Sequence, residues 1–346
     1  MSTSTDAPPS RAQDFRRTWY SGIICAGISN LNTTMAIQSK SILDYVGNTP
    51  LVEISRMSPN PGVRIFAKLE GHNPTGSIKD RVAKYLVQQA EESGDLKPGQ
   101  TLIEASTGNT ALALALIAKQ RGYKIKVVML RRATPGVAEL LTTFGVEIIW
   151  CNPVAGMKGA IEMADRLSQE EGWFNTCQFE SKANLQAHYE TTGPEILQAL
   201  PEVDAFVAGI GTGGTIMGAG KKLKEKNPQT WVIGVEPKVG DQLQGLRSLE
   251  EGYIPPLLDL DMLDGRFLVD TQEAFECSRS LLEKEGIFAG VSSGAVLNCA
   301  QRVAQRMDGG SIVVIFADGG WKYLTAGPWR EEMEARLLHP DETAWW

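Results

Sequence analysis

The chain has 346 residues, enough for one large or two medium domains, and its 42% hydrophobic and 22% charged residues are the proportions of a folded globular protein. Its formal net charge of −7 argues against nucleic acid as a partner, because a polyphosphate calls for a basic surface, while local basic groups can still hold a small anionic substrate. Five scattered cysteines without a CxxC pair, and His72, His188 and His339 away from metal-ligand spacing, argue against a disulfide framework or a metal site and fit a reducing, cytoplasmic compartment.

Residues 1–40 are polar, rich in serine and threonine, and without periodicity. They read as a flexible extension or an over-called start, with a targeting peptide as the alternative. From Asn48 onward, short β-branched runs alternate with helical patterns. Strands are predicted at 51–55, 65–70, 101–105, 126–130, 146–150, 205–210, 231–236 and 311–317. Helices are predicted at 78–93, 110–121, 136–144, 157–171, 184–199, 215–226, 271–285 and 294–307. Continuous apolar strands separated by helices specify parallel sheets covered on both faces. The expected fold class is therefore α/β, with two three-layer α/β/α domains and mostly parallel sheets. The first domain covers 41–182, although its first strands can join the other domain, and the second covers 183–328, with a hinge near 181–184. A tail over 329–346 ends in Trp345 and Trp346 and either docks on the body or is disordered. No run reaches the roughly 18 apolar residues of a membrane span.

Three turns rich in glycine and hydroxyl residues each follow a strand and open a helix, where unpaired N–H groups and a positive dipole end suit an anion. The first, Asn73-Pro74-Thr75-Gly76-Ser77-Ile78-Lys79-Asp80-Arg81, brings Lys79 to the first turn of a helix. A cation is disfavoured there, which makes Lys79 either a perturbed, reactive amine or a solvated surface lysine. The second, Ser106-Thr107-Gly108-Asn109-Thr110, can be a plain N-cap or the donor cluster that a substrate carboxylate needs. The third, Gly209-Ile210-Gly211-Thr212-Gly213-Gly214-Thr215, suits a phosphate. It also spells GxGxxG, and Glu236 closes the next strand at the spacing of a ribose-binding acid, so a dinucleotide remains an alternative. A fourth turn, Gly290-Val291-Ser292-Ser293-Gly294, is by itself an ordinary helix cap.

Taken together, and over about 47–327, these segments resemble the cysteine synthase (O-acetylserine sulfhydrylase) family of fold-type II pyridoxal phosphate enzymes, the tryptophan synthase β-like fold. The resemblance rests on Val46-Gly47-Asn48-Thr49-Pro50-Leu51, the 73–81 box, Gly108-Asn109-Thr110, Gln178-Phe179, Thr192-Gly193-Pro194-Glu195, 211–215, 290–294 and Lys322-Tyr323-Leu324. Ile287-Phe288-Ala289-Gly290, Gly320-Trp321-Lys322-Tyr323-Leu324 and Arg247 before Leu249-Glu250-Glu251-Gly252 look closest to the B-type, O-phosphoserine-using branch.

The resemblance implies a cytoplasmic homodimeric enzyme acting on a small amino acid and a sulfur donor, with no metal. Lys79 would carry pyridoxal phosphate as a Schiff base and move protons. Asn109 would bond the ring hydroxyl, Gly211, Thr212, Gly213, Gly214 and Thr215 would hold the phosphate, and Ser292 would face the pyridine nitrogen. Ser106, Thr107, Thr110 and Gln178 would hold the substrate α-carboxylate. The implied reaction is β-replacement on O-acetylserine or O-phosphoserine by sulfide or another thiol, and Arg247 is the candidate for a donor phosphate, its alternative being a surface salt bridge. A cystathionine β-synthase-like lyase, a serine/threonine dehydratase, a dehydrogenase and a non-catalytic homologue are the rivals. Three departures from the family pattern bear on the substrate: the swapped hydroxyls with Ala111 in Ser106-Thr107-Gly108-Asn109-Thr110-Ala111, the segment 129–139, and Phe179-Glu180-Ser181-Lys182-Ala183-Asn184.

Overall fold

The computed structural model describes Met1 and residues 41–324, apart from 107, 132–134, 153, 155 and 242. The expected N-terminal extension beyond Met1 and the tail over 329–346 lie outside the described residues, as does Thr107.

The eight predicted strands form, and side-chain alternation along them builds the layers. One sheet has the order β1 (Leu51–Glu53), β2 (Val63–Leu69), β10 (Gly310–Phe316), β7 (Ala205–Gly209), β8 (Trp231–Pro237), β9 (Gly265–Val269). All its neighbours are parallel except β1, which runs antiparallel to β2. Successive strand side chains point to opposite faces. Thus Val207, Val235, Ile312 and Val314 pack with helices α8 (Thr271–Glu285) and α9 (Val291–Ala304). Phe206, Ala208, Val313 and Ile315 face α6 (Gly193–Ala199) and α7 (Gly214–Lys226) on the other side.

The second sheet is parallel, in the order β5 (Glu147–Cys151), β4 (Lys124–Leu130), β3 (Thr101–Ala105), β6 (Phe174–Asn175). Leu102, Val127 and Met129 meet α1 (Lys79–Ser93), α2 (Asn109–Arg121) and α3 (Pro135–Thr143). Ile103, Ala105, Val128 and Leu130 face α4 (Gly156–Glu171). Helices cover both faces of both sheets, the expected α/β/α layering. In sequence β1 and β2 precede α1, yet they pair with β10 in the six-stranded sheet.

Two strands had no apolar signal. β9 is an edge strand whose exposure alternates and which carries Arg266, and β6 is two residues long. The helix predicted over 184–199 is interrupted. It divides into α5 (Lys182–Ala187), a π turn over His188–Thr192, and α6. Pro194 at the start of α6 has no N–H to donate, so the ladder changes register there.

Candidate active site

Ligands of open α/β sheets bind beyond the carboxyl ends of the strands, where helix N-termini converge. A cavity of about 660 Å³ lies there, within the range of small-molecule and cofactor sites. The ends of β3, β4, β7, β8 and β10 contribute to it through Ser106, Leu130, Gly209, Pro237 and Asp318. It gathers Lys79 of α1, Asn109 and Thr110 of α2, Thr215 of α7 and Ser292 of α9, all in the first turns of their helices. The cavity therefore lies at four positive helix ends.

Lys79 is the first residue of α1. Among the described residues its amine has neither a hydrogen bond nor an ion pair. Burial holds its pKa below the ordinary lysine value, and the Asp318 carboxylate acts in the opposite direction. An amine that gives up its proton more readily than an ordinary lysine is suited to act as nucleophile and base. The solvated-lysine alternative does not describe it.

The glycine turn fits a phosphate. Its outer side is closed, since a Cβ on Gly211 would meet the Gly245 carbonyl oxygen at 2.6 Å and one on Gly214 would meet Asn184 Oδ1 at 1.9 Å. Gly213, at φ +87°, is in the left-handed region that glycine tolerates, and it opens α7 without a side-chain cap. The uncapped N–H groups of α7, with Thr212 and Thr215 alongside, are what a phosphate needs. Asn184 Nδ2 donates to Thr212 Oγ1 (2.9 Å), which steadies the turn from behind. Glu236, the acid that a dinucleotide ribose would require, instead accepts from the backbone N–H of Leu249 (2.7 Å) and from Arg266 (3.1 Å) and is buried.

A second cluster of donors lies at the start of α2. Ser106 Oγ accepts from the backbone N–H groups of Gly108 (3.2 Å) and Ala111 (3.3 Å), which leaves its own O–H to donate into the cavity. Thr110 Oγ1 donates to Gln178 Oε1 (2.6 Å), and Gln178 Nε2 donates to the Ala105 carbonyl (3.1 Å). Gln178 thus orients Thr110. Beneath them Glu104 accepts from Thr176 Oγ1 (2.5 Å) and the Gln178 backbone N–H (3.2 Å), and burial pushes its pKa up to about 7. Ala111 is fully buried in the cluster of α1–α3, so its methyl points into the core.

Arg247 lines the cavity with its guanidinium 4.7 Å from the Phe179 ring and 5.4 Å from that of Tyr253. Phe179, of the Gln178-Phe179 motif, forms part of this aromatic frame.

Sequence reasoning missed four site residues. His188 is buried on the π turn, with Nδ1 2.9 Å from Thr192 Oγ1 and Nε2 3.1 Å from Thr215 Oγ1. Burial keeps it neutral, well below the ordinary histidine value. No spacing rule singles out such a histidine. Asp318 and Lys322 follow β10 and line the cavity, and Asn184 lies behind the glycine turn. Lys322 belongs to the quoted Lys322-Tyr323-Leu324 motif, which held the only available signal.

The pattern of the family described as pyridoxal-phosphate dependent enzyme matches residues 42–318. Cysteine synthase B of Pseudomonas aeruginosa is 39% identical over 294 residues, 85% of this chain and 98% of the relative. Among solved structures, an O-ureido-L-serine synthase superposes with a TM-score of 0.80 at 34% identity, covering 89% of this chain and 97% of the other. A hydrogen sulfide-producing enzyme from Fusobacterium nucleatum gives 0.79 at 37% identity, covering 83% and 100%.

Proposed function

Because the chain belongs to the pyridoxal-phosphate dependent enzymes, we propose that it is a cysteine synthase, exchanging the β-substituent of an activated L-serine for sulfide or another thiol to give L-cysteine. The observation that carries this reading is the half-buried Lys79, its amine without a hydrogen bond among the described residues, in one cavity with two distinct candidate anion sites. One is the glycine turn at α7 and the other is the hydroxyl cluster at α2.

When bound, pyridoxal phosphate supplies an electron sink for negative charge at the substrate Cα. Gly211, Thr212, Gly213, Gly214 and Thr215 would hold its phosphate, Asn109 would donate to its ring hydroxyl, and Ser292 would lie at its pyridine nitrogen. Lys79 would carry it and take the proton from the substrate Cα. Ser106, Thr107, Thr110 and Gln178 hold the substrate α-carboxylate at the positive end of α2. Arg247, framed by Phe179 and Tyr253, favours O-phosphoserine over O-acetylserine as donor, since a guanidinium pairs bidentately with phosphate. The reading extends to a homodimer in the cytoplasm. Free Cys151, Cys177, Cys277 and Cys299 support a reducing compartment, and no described helix is long and apolar enough to cross a membrane.

Borohydride reduction of the purified protein and peptide mass spectrometry test the first step. A pyridoxyl adduct on Lys79 is expected, and an adduct elsewhere or none overturns the assignment. Cysteine formation from O-acetylserine or O-phosphoserine with sulfide tests the reaction, and turnover of neither donor removes it.

A further inference from the structure

Two lysines line the cavity, the half-buried Lys79 and the buried Lys322, and they differ in surroundings. The Lys79 amine makes no hydrogen bond among the described residues, whereas Lys322 Nζ donates to Asn109 Oδ1 at 2.8 Å. On the other side of the same amide, Asn109 Nδ2 donates to Asp318 Oδ2 at 2.6 Å. Tyr323 Oη also donates to Asp318 Oδ2. Lys322 and Asp318 are 8% and 3% exposed.

Both groups occupy space that glycines leave open. A Cβ on Gly76 would lie 3.1 Å from Lys322 Cε, and one on Gly290 would lie 2.2 Å from Asp318 Oδ1. The lysine box and the start of α9 are therefore shaped to admit this pair.

An asparagine amide can usually turn over, exchanging its donor and acceptor ends. Burial pulls the Lys322 pKa down and the Asp318 pKa up, and the attraction between the two charges opposes both shifts. As an ammonium and a carboxylate, Lys322 only donates and Asp318 only accepts, so the reversed amide would set N–H against Lys322 and oxygen against Asp318. With Oδ1 committed to Lys322 and one N–H to Asp318, what Asn109 can offer a ligand in the cavity is its second N–H, which meets Tyr323 Oη only at 3.4 Å.

We infer that Lys322 and Asp318 are positioning residues which clamp the Asn109 amide from opposite ends, so that it presents only a donor to the ring hydroxyl of the cofactor. The inference rests on the proposed attachment of pyridoxal phosphate to Lys79. A phenolate-like oxygen accepts from that donor and would be repelled by the oxygen of a freely turning amide. Asn109 touches the cofactor, and the clamp acts through it.

The test is cofactor release from the holoenzyme, followed by loss of its visible absorption band, in Lys322→Met, Lys322→Arg and Asn109→Ala and in the double variant Lys322→Met/Asn109→Ala. Release from Lys322→Met is expected to be about tenfold faster than from wild type, the effect of one charge-assisted hydrogen bond, with Lys322→Arg within about twofold of wild type. Release from the double variant should match that from Asn109→Ala alone, because the clamp has nothing left to hold. A purely structural role would give additive losses instead. If Lys322→Met is not recovered folded, Lys322→Leu carries the same comparison, as it also removes both the donor and the charge. Unchanged release from Lys322→Met, or additivity in the double variant, overturns the inference. Absence of any borohydride-fixed adduct on Lys79 in wild type would instead show that the underlying reading has failed.

Discussion

Glu104→Gln isolates the buried carboxyl beneath the proposed substrate-carboxylate site. Glu104 is 2% exposed, and burial raises its pKa from the ordinary 4.5 to about 7, against the opposing hydrogen bonds from Thr176 and Gln178. The folded chain therefore keeps the proton to higher pH than the unfolded chain does. The stabilisation is fully present below 4.5, is drawn down as pH rises, and is gone above about 7. The difference amounts to about 3 kcal/mol, most of which falls between roughly pH 5 and pH 8. Glutamine keeps an oxygen for the Thr176 hydroxyl and the Gln178 N–H but does not titrate. Urea unfolding across that range should show the variant gaining on wild type by about 2–3 kcal/mol as pH rises. A free-energy difference that stays constant with pH would mean that Glu104 titrates normally in the folded protein, and the reasoning would be refuted.

Arg81→Met leaves Glu70 and Glu195 without the guanidinium that meets them at 2.7 and 2.6 Å, and Arg81 and Glu70 are both buried. Urea unfolding near neutral pH should register a loss of about 3–5 kcal/mol, the consequence of an orphaned buried charge, and a loss under about 1 kcal/mol would contradict this. Gly214→Ala drives a methyl to within 1.9 Å of Asn184 Oδ1, whose amide is tied to Gln178 O and Thr212 Oγ1. A stability loss of about 1–3 kcal/mol and weaker pyridoxal phosphate binding are expected, to be read by unfolding and by cofactor titration. Arg247→Ala should lower kcat/KM about ten- to hundredfold for O-phosphoserine and much less for O-acetylserine. Equal losses with both donors would remove the phosphate role.

The layered fold was legible because most strands are short apolar runs and most helices have a capped or glycine-marked start, signals carried by neighbouring residues. Segments without that local contrast escaped. β9 alternates exposure at a sheet edge, and the π turn at His188–Thr192 answers to a proline and to side chains packed from elsewhere. The glycine turn, the 106–110 turn and the lysine box could be read as anion sites and a candidate amine, since helix starts announce themselves in sequence.

Their convergence could not be read so locally. Lys79, Thr110, Thr215 and Ser292 are far apart along the chain and share a cavity only because parallel strands bring their carboxyl ends to one edge. The sequence by itself determined the repeating strand–helix units and the residue types at each helix start, because those follow from short-range periodicity and capping. Tertiary packing alone decided which lysine is left without a hydrogen bond, which is held against Asn109, and which carboxyl loses its water. Burial and pairing depend on groups distant in sequence, and these set the charge and direction of each side chain at the site.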